Sequence, residues 1–119
     1  MKQQVAIITP VPDMVEAVVQ HSMLRQAVER QKVDLHIVNL REFGEGNYRQ
    51  VDDTPFGGGA GMVMMAMPLF KAIENAIEKV GGTDDLRIIY PSPQGKTWTH
   101  DSAVENSTVQ KLIVICGHY

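Results

Sequence analysis

Leu112-Ile113-Val114-Ile115-Cys116 is an unbroken apolar run rich in β-branched residues, and Gly117-His118-Tyr119 closes it. A short continuous apolar run bounded by turn residues reads as a strand buried on both faces, the pattern of a parallel sheet. Val5-Ala6-Ile7-Ile8, closed by Thr9-Pro10-Val11-Pro12, repeats the pattern near the start of the chain. Leu86 to Tyr90, interrupted by Arg87, reads as a third strand and ends at Pro91-Ser92-Pro93. Asp34 to Leu40 sets Leu35, Ile37 and Val38 among polar residues and reads as a further strand.

Helical spacing fills the gaps between these runs. Asp13 suits the positive end of a helix, and Met14, Val15, Val18 and Val19 follow at helical intervals. His21-Ser22 interrupts the pattern, with Ser22 as a cap for a second helix carrying Met23, Leu24, Ala27 and Val28 to about Gln31. Pro68 belongs in the first turn of a helix whose face is Leu69, Ile73, Ala76, Ile77 and Val80, and Gly81-Gly82 stops it. Thr99 to Asn106 reads as a short helix with only Ala103 and Val104 apolar. Strands alternating with helices give an α/β fold, a mostly parallel sheet with flanking helices and right-handed crossovers. Ligands of such sheets bind beyond the carboxyl ends of the strands, where Thr9 to Pro12, Pro91 to Lys96 and Gly117 to Tyr119 fall.

Composition narrows the function classes. The 119 residues are 44% hydrophobic and 21% charged, enough to bury a core in one domain. A net charge of −3 opposes a strong nucleic-acid footprint on the chain as a whole and leaves room for a local basic patch. The lone Cys116 excludes an intrachain disulfide and fits a reducing cytosol, so a cytoplasmic location is expected. No apolar run is long enough for a bilayer span, and no membrane partner is expected.

Val51-Asp52-Asp53-Thr54-Pro55-Phe56-Gly57-Gly58-Gly59-Ala60-Gly61-Met62-Val63-Met64-Met65 suits neither an ordinary helix nor an ordinary strand. Its glycines carry about 0.5–1 kcal/mol each of backbone entropy in a regular element. A linker rarely ends in four large apolar residues, so the stretch reads as an ordered loop closing over a site. Two phosphate fingerprints fail here. Gly95-Lys96-Thr97 ends like a P-loop, but Tyr90 stands where the first glycine is needed, and Pro91 and Pro93 remove N–H donors. The glycine run fits Gly-x-Gly-x-x-Gly in no register. His21, His36, His100 and His118 show no i, i+4 ligand spacing. Cys116 reads as a small core residue, and Trp98 as packing. Asp52 and Asp53 divide between turn-forming and functional roles. Met62, Met64 and Met65 read as core first and as an adaptable wall beside a ligand second.

Tyr48 to Met62, Ser92-Pro93-Gln94-Gly95 and Cys116-Gly117-His118-Tyr119, together with Pro12-Asp13-Met14 and Asn39-Leu40-Arg41-Glu42-Phe43, resemble the bacterial tRNA (guanine-N1)-methyltransferases of the TrmD type. The resemblance covers essentially the whole chain. It implies the N-terminal part of a SPOUT-superfamily cofactor-binding domain, a trefoil-knot fold left incomplete here, with a C-terminal domain lying beyond Tyr119. It implies S-adenosylmethionine as methyl donor, magnesium as an accessory ion, tRNA as substrate and a homodimer as the working form. It puts Tyr90, Pro91, Ser92, Pro93 and Gly95 on one cofactor loop and Gly117 and Tyr119 on another. Arg49, Asp52 and Gly59 fall toward the substrate, with Asp52 in a supporting catalytic role; the general base lies beyond Tyr119. Tyr48 and Pro91 replace the histidine and leucine frequent in the family. The alternatives are a truncated fragment with only dimerisation or weak cofactor binding, and an unrelated α/β nucleotide-binding module. Apolar surface around Leu112 to Cys116 is expected to make the chain prone to association.

Overall fold

The computed structural model describes residues 2–44, 46, 51–53, 63–64 and 66–117. In chain order the elements are β1 (Gln3–Thr9), α1 (Pro12–Val19), α2 (Ser22–Glu29), β2 (Val33–Asn39), a 3-10 turn (Leu40–Phe43), β3 (Asp52–Asp53), β4 (Val63–Met64), α3 (Ala66–Val80), β5 (Leu86–Ile89), α4 (His100–Ser107) and β6 (Lys111–Ile115). The four apolar runs form one sheet in the order β2-β1-β6-β5, with every neighbouring pair parallel. Ile8 lies beside Val38 and Ile115, and Ile7 beside Ile37 and Val114. Side chains alternate across a strand, so this register sorts the sheet into two faces.

The first face packs on α3. Ala6, Ile8, Val38, Ile113 and Ile115 meet Ala72, Ala76 and Val80 in one buried cluster, with Leu40 and Val51 closing it. Small alanines on α3 let the helix approach the sheet closely. Gly81 and Gly82 stop the helix with φ of 98° and 112°, and the Gly82 N–H donates to the Ile77 carbonyl at 2.9 Å. That is the C-terminal cap expected of a glycine pair. Buried Lys111 adds to it by donating from Nζ to the Gly81 carbonyl at 3.2 Å, a cation at the negative end of the helix.

The second face carries Val5, Ile7, Leu35, Ile37, Leu112 and Val114, all half-buried. α1 and α2 pack over β2 on this side. α4 is fastened at the other end, where Gln3 Nε2 donates to the Asn106 carbonyl at 2.8 Å and Arg87 donates to Asn106 Oδ1 at 2.9 Å. Connections that step across the sheet in one direction share this face, and the β2-to-β5 connection, running the other way, carries α3 on the opposite face. Uniform crossover handedness requires that division.

Several expectations change. The strands are not equally buried on both faces, because α3 seals β1, β2 and β6 on one side, leaving Ile88 of β5 45% exposed, and the three short helices leave gaps on the other. Ser22 is the first residue of α2, with φ of 56°, and no side chain caps that helix. The polar stretch after β2 begins as a 3-10 turn, capped by Asn39 Oδ1 accepting from the Arg41 N–H at 3.0 Å. β3 and β4 pair antiparallel, Asp52 opposite Met64 and Asp53 opposite Val63, a pairing that periodicity had not indicated. The glycine-rich residues 54–62, with their expected closure over a site, lie outside the described residues. β6 is a central strand, and exposed apolar side chains lie instead on the helices, with Met14 68% on α1, Met23 72% on α2 and Phe70 59% on α3 among them. Among the described residues no helix is long and apolar enough to cross a membrane.

Candidate functional site

The parallel register brings the carboxyl ends of β1, β5 and β6 to one edge of the sheet, and the Cys116 N–H donates to the Ile8 carbonyl at 2.8 Å to hold two of them together. The loop leaving β5 is shaped by its prolines. The Gly95 N–H donates to the Ser92 carbonyl at 3.1 Å, closing a turn with Pro93 at its second position, where a fixed φ is favourable. Ser92 Oγ accepts from the Gln94 N–H at 3.2 Å and tightens the same turn. Pro91 and Pro93 have no N–H, and those of Gln94 and Gly95 are used internally. Of the backbone N–H groups within 91–95 only that of Ser92 is left to donate, so the main chain of the loop offers a ligand chiefly carbonyl acceptors.

This loop bounds two cavities. A narrow cleft of about 90 Å³ lies between Tyr90, Pro91, Ser92, Pro93 and Gly117. A larger chamber of about 650 Å³ uses the same Tyr90 to Pro93 wall and adds Ile89, Val114, Gly95 and the segment Lys96-Thr97-Trp98. A third, apolar cavity of about 290 Å³ lies between the β1 and β6 ends and α1, lined by Ile7, Val11, Met14, Leu24 and Cys116 among others. Burial there pushes the Cys116 thiol above its ordinary pKa, which suits a small core residue better than a nucleophile.

The structure therefore brings Tyr90, Pro91, Ser92 and Pro93 against Gly117, with Gly95 at the turn of the same loop. Asp52 is placed through its backbone only, on β3. Arg49, Gly59 and Tyr119 lie outside the described residues. Trp98 departs from the packing role read from the sequence: it is 56% exposed and stands as a wall of the larger chamber, with Tyr90 55% exposed. Its signal in the sequence was an aromatic in the irregular stretch between the Gly95 turn and the Thr99 cap, where neither helix nor strand buries it. Among the described residues no three His, Cys, Asp or Glu side chains gather as a metal site.

Comparison with known proteins fits this geometry. The family model described as tRNA (Guanine-1)-methyltransferase TrmD matches residues 2–119. A tRNA (guanine-N(1)-)-methyltransferase from Caldanaerobacter subterraneus subsp. tengcongensis is 42% identical over 113 residues, 95% of this chain and 45% of the relative. One from Nitrosomonas europaea is 44% identical, over 95% of this chain and 43% of the relative. The crystal structure of tRNA (m1G37) methyltransferase from Aquifex aeolicus superposes with a TM-score of 0.83 at 27% identity, covering 99% of this chain and 52% of that one. The chain thus spans less than half the length of the two relatives. By the family match along its length and by its fold, it belongs to the tRNA (guanine-1)-methyltransferase family of the TrmD type.

Proposed function

We propose that this chain is the N-terminal part of the cofactor-binding domain of an S-adenosylmethionine-dependent enzyme that methylates guanine N1 beside the anticodon of tRNA, working as a cytoplasmic homodimer. The observation that carries the reading is the convergence of the Tyr90–Gly95 loop and Gly117 on one cleft at the carboxyl edge of the sheet. Family membership supplies the chemistry. A second reading is a fragment that only dimerises or binds cofactor weakly.

The reaction sets the demands. Guanine N1 carries a proton at neutral pH and must lose it before it can act as a nucleophile. S-adenosylmethionine, when bound, supplies an already electrophilic methyl, so the protein's work is alignment, proton removal and stabilisation of charge growing on O6. Tyr90, Pro91, Ser92, Pro93, Gly95, Gly117 and Tyr119 are assigned to hold the cofactor. Carbonyl acceptors in the first loop suit an exocyclic amino group, and the fixed proline geometry holds them in place without reorganisation. Arg49, Asp52 and Gly59 are assigned to the substrate side, Arg49 to a phosphate or carboxylate and Asp52 to support of the reacting base. The group that takes the N1 proton is assigned to none of these. Among the described residues no three His, Cys, Asp or Glu side chains gather, so magnesium stays what the resemblance implies.

Calorimetric titration of S-adenosylmethionine into the folded 119-residue chain tests the assignment. One-site saturable binding is expected. A folded chain, verified by circular dichroism, that produces no binding heat would sink the claim that these loops suffice to hold the cofactor.

A further inference from the structure

Of the three loops at the carboxyl edge of the sheet, the one leaving β1 has no part in the assignments above, and its backbone groups show what holds it. Pro10 and Pro12 have no N–H to donate. The Val11 N–H donates to Oγ1 of buried Thr9 at 3.1 Å, and the Val11 carbonyl accepts from the Met14 N–H at 3.1 Å. The Pro10 carbonyl remains, and Arg41 Nε donates to it at 3.2 Å. Among the described residues this is the only hydrogen bond from residues 10–12 to a distant element. Arg41 reaches across from a rigid base. Its own N–H donates to Asn39 Oδ1 at 3.0 Å, and Leu40 and Phe43 of the same 3-10 turn are set into the core packed on α3. A bond from a charged donor is stronger than one between neutral groups, which suits a loop with a single tie.

We propose that Arg41 is a positioning residue for the cofactor cleft, acting through Pro10 on the place of Gly117. Thr9, Pro10 and Val11 line the apolar cavity of about 290 Å³ together with Cys116 and Gly117. Gly117 also faces Tyr90 to Pro93 across the narrow cleft. The Cys116 N–H, bonded to the Ile8 carbonyl at 2.8 Å, joins β6 to β1 just before Gly117. Beyond that bond, the β1 loop is what stands beside Gly117. The cavity between them leaves the loop room to move once Arg41 lets go. A wall held in place before a ligand arrives lowers the ordering cost of binding, so a loosened wall weakens it. The cofactor end of the claim rests on the function proposed above; the tie from Arg41 to Gly117 does not.

Two substitutions of matched length separate the bond from the charge. Glutamine puts its Nε2 donor where the arginine has Nε and removes the charge; methionine puts a methyl group there and removes both. S-adenosylmethionine is titrated calorimetrically into the 119-residue chain and each variant, with the Gly117 amide followed by NMR in the absence of cofactor. Arg41→Met is expected to shift the Gly117 resonance and to raise the Kd about 2- to 12-fold, the span of one net hydrogen bond. Arg41→Gln is expected to restore most of both. The core variant Ile113→Val lowers the urea midpoint and leaves the Kd unchanged, which keeps lost stability apart from lost position. An unmoved Gly117 amide in Arg41→Met overturns the proposal. So does equal weakening by Arg41→Gln and Arg41→Met, which would assign the effect to charge, or equal weakening by Ile113→Val, which would assign it to stability. If the unaltered folded chain takes up no cofactor, the cofactor assignment fails, and the Gly117 amide in the two Arg41 variants still decides the tie.

Discussion

The two faces of the sheet are built from the same four strands and differ in nearly everything else. Against α3, Ala6, Ile8, Val38, Ile113 and Ile115 are sealed from water. On the other side their immediate neighbours Ile7, Ile37 and Val114 are half-buried, and α1 carries no buried residue at all. One face stores stability. The other leaves apolar surface and cavities near the carboxyl edge of the sheet, where ligands of parallel sheets bind. Adjacent residues in one strand therefore have different jobs, and single substitutions should read the difference out.

The largest contrast is between Ile113 and Val114. Ile113→Ala removes a fully buried side chain from a central strand and is expected to cost about 2–5 kcal/mol. Val114→Ala, one position on and half-buried, is expected to cost about 0.8 kcal/mol. Urea unfolding of both variants gives the comparison, and equal losses would erase the distinction between the faces. A second pair tests it from the helices. Ala76→Leu forces methyl groups into the α3 contact and is expected to cost about 1–3 kcal/mol. Met23→Lys on exposed α2 should leave stability within about 0.5 kcal/mol and reduce concentration-dependent association in sedimentation. A large loss at Met23 would mean that the second face is more tightly packed than its exposure indicates.

Thr99 sets a smaller term. Its hydroxyl accepts from the Ser102 N–H at 3.2 Å while Ser102 Oγ accepts from the Thr99 N–H at 3.1 Å, a reciprocal cap on a helix with little apolar surface. Thr99→Ala should cost about 1 kcal/mol and raise amide exchange first in α4. Exchange rising equally in α3 would show that the two faces unfold as one unit.

Much of this division was legible in the residues and part of it was not. The apolar runs at Val5, Leu86 and Leu112 announced strands because continuous β-branched stretches have few other uses. Pro68 and Gly81-Gly82 bracketed α3 because each does what other residues do poorly, starting a helix without an N–H and leaving it with positive φ. Which face would be sealed was hidden. Both faces of β6 are apolar, and only the strand order, a property of the whole chain, decides that α3 crosses one of them. The β5 loop was visible through its prolines and Gly95. The exposure of Trp98 was not, since an indole in a loop is equally compatible with packing and with a cavity wall. The pairing of β3 and β4 escaped because two-residue strands have no periodicity to detect.

Cys116 sits where the two regions meet, bonded through its backbone to Ile8 of β1 and lining the apolar cavity with Ile7, Met14 and Leu24. Loss of water there disfavours the thiolate and raises the thiol pKa above its ordinary range. The sign follows directly. The folded chain holds the proton to higher pH than the unfolded chain, so the thiol's contribution is fully present below the ordinary thiol pKa of about 8.5. It fades as pH rises from there through the folded value. No change in stability from this group is expected between pH 6 and 7.5. Alkylation by iodoacetamide at pH 8 should be slower in the folded chain than in urea, because both the thiolate fraction and access are reduced. Filling the cavity from the helix side, by Val15→Leu, should slow it further if the cavity is the route by which reagent and water reach the sulfur. An unchanged rate would place that route on the Gly117 side, and the second face would then be open at the cleft between Tyr90 and Gly117 rather than beneath α1.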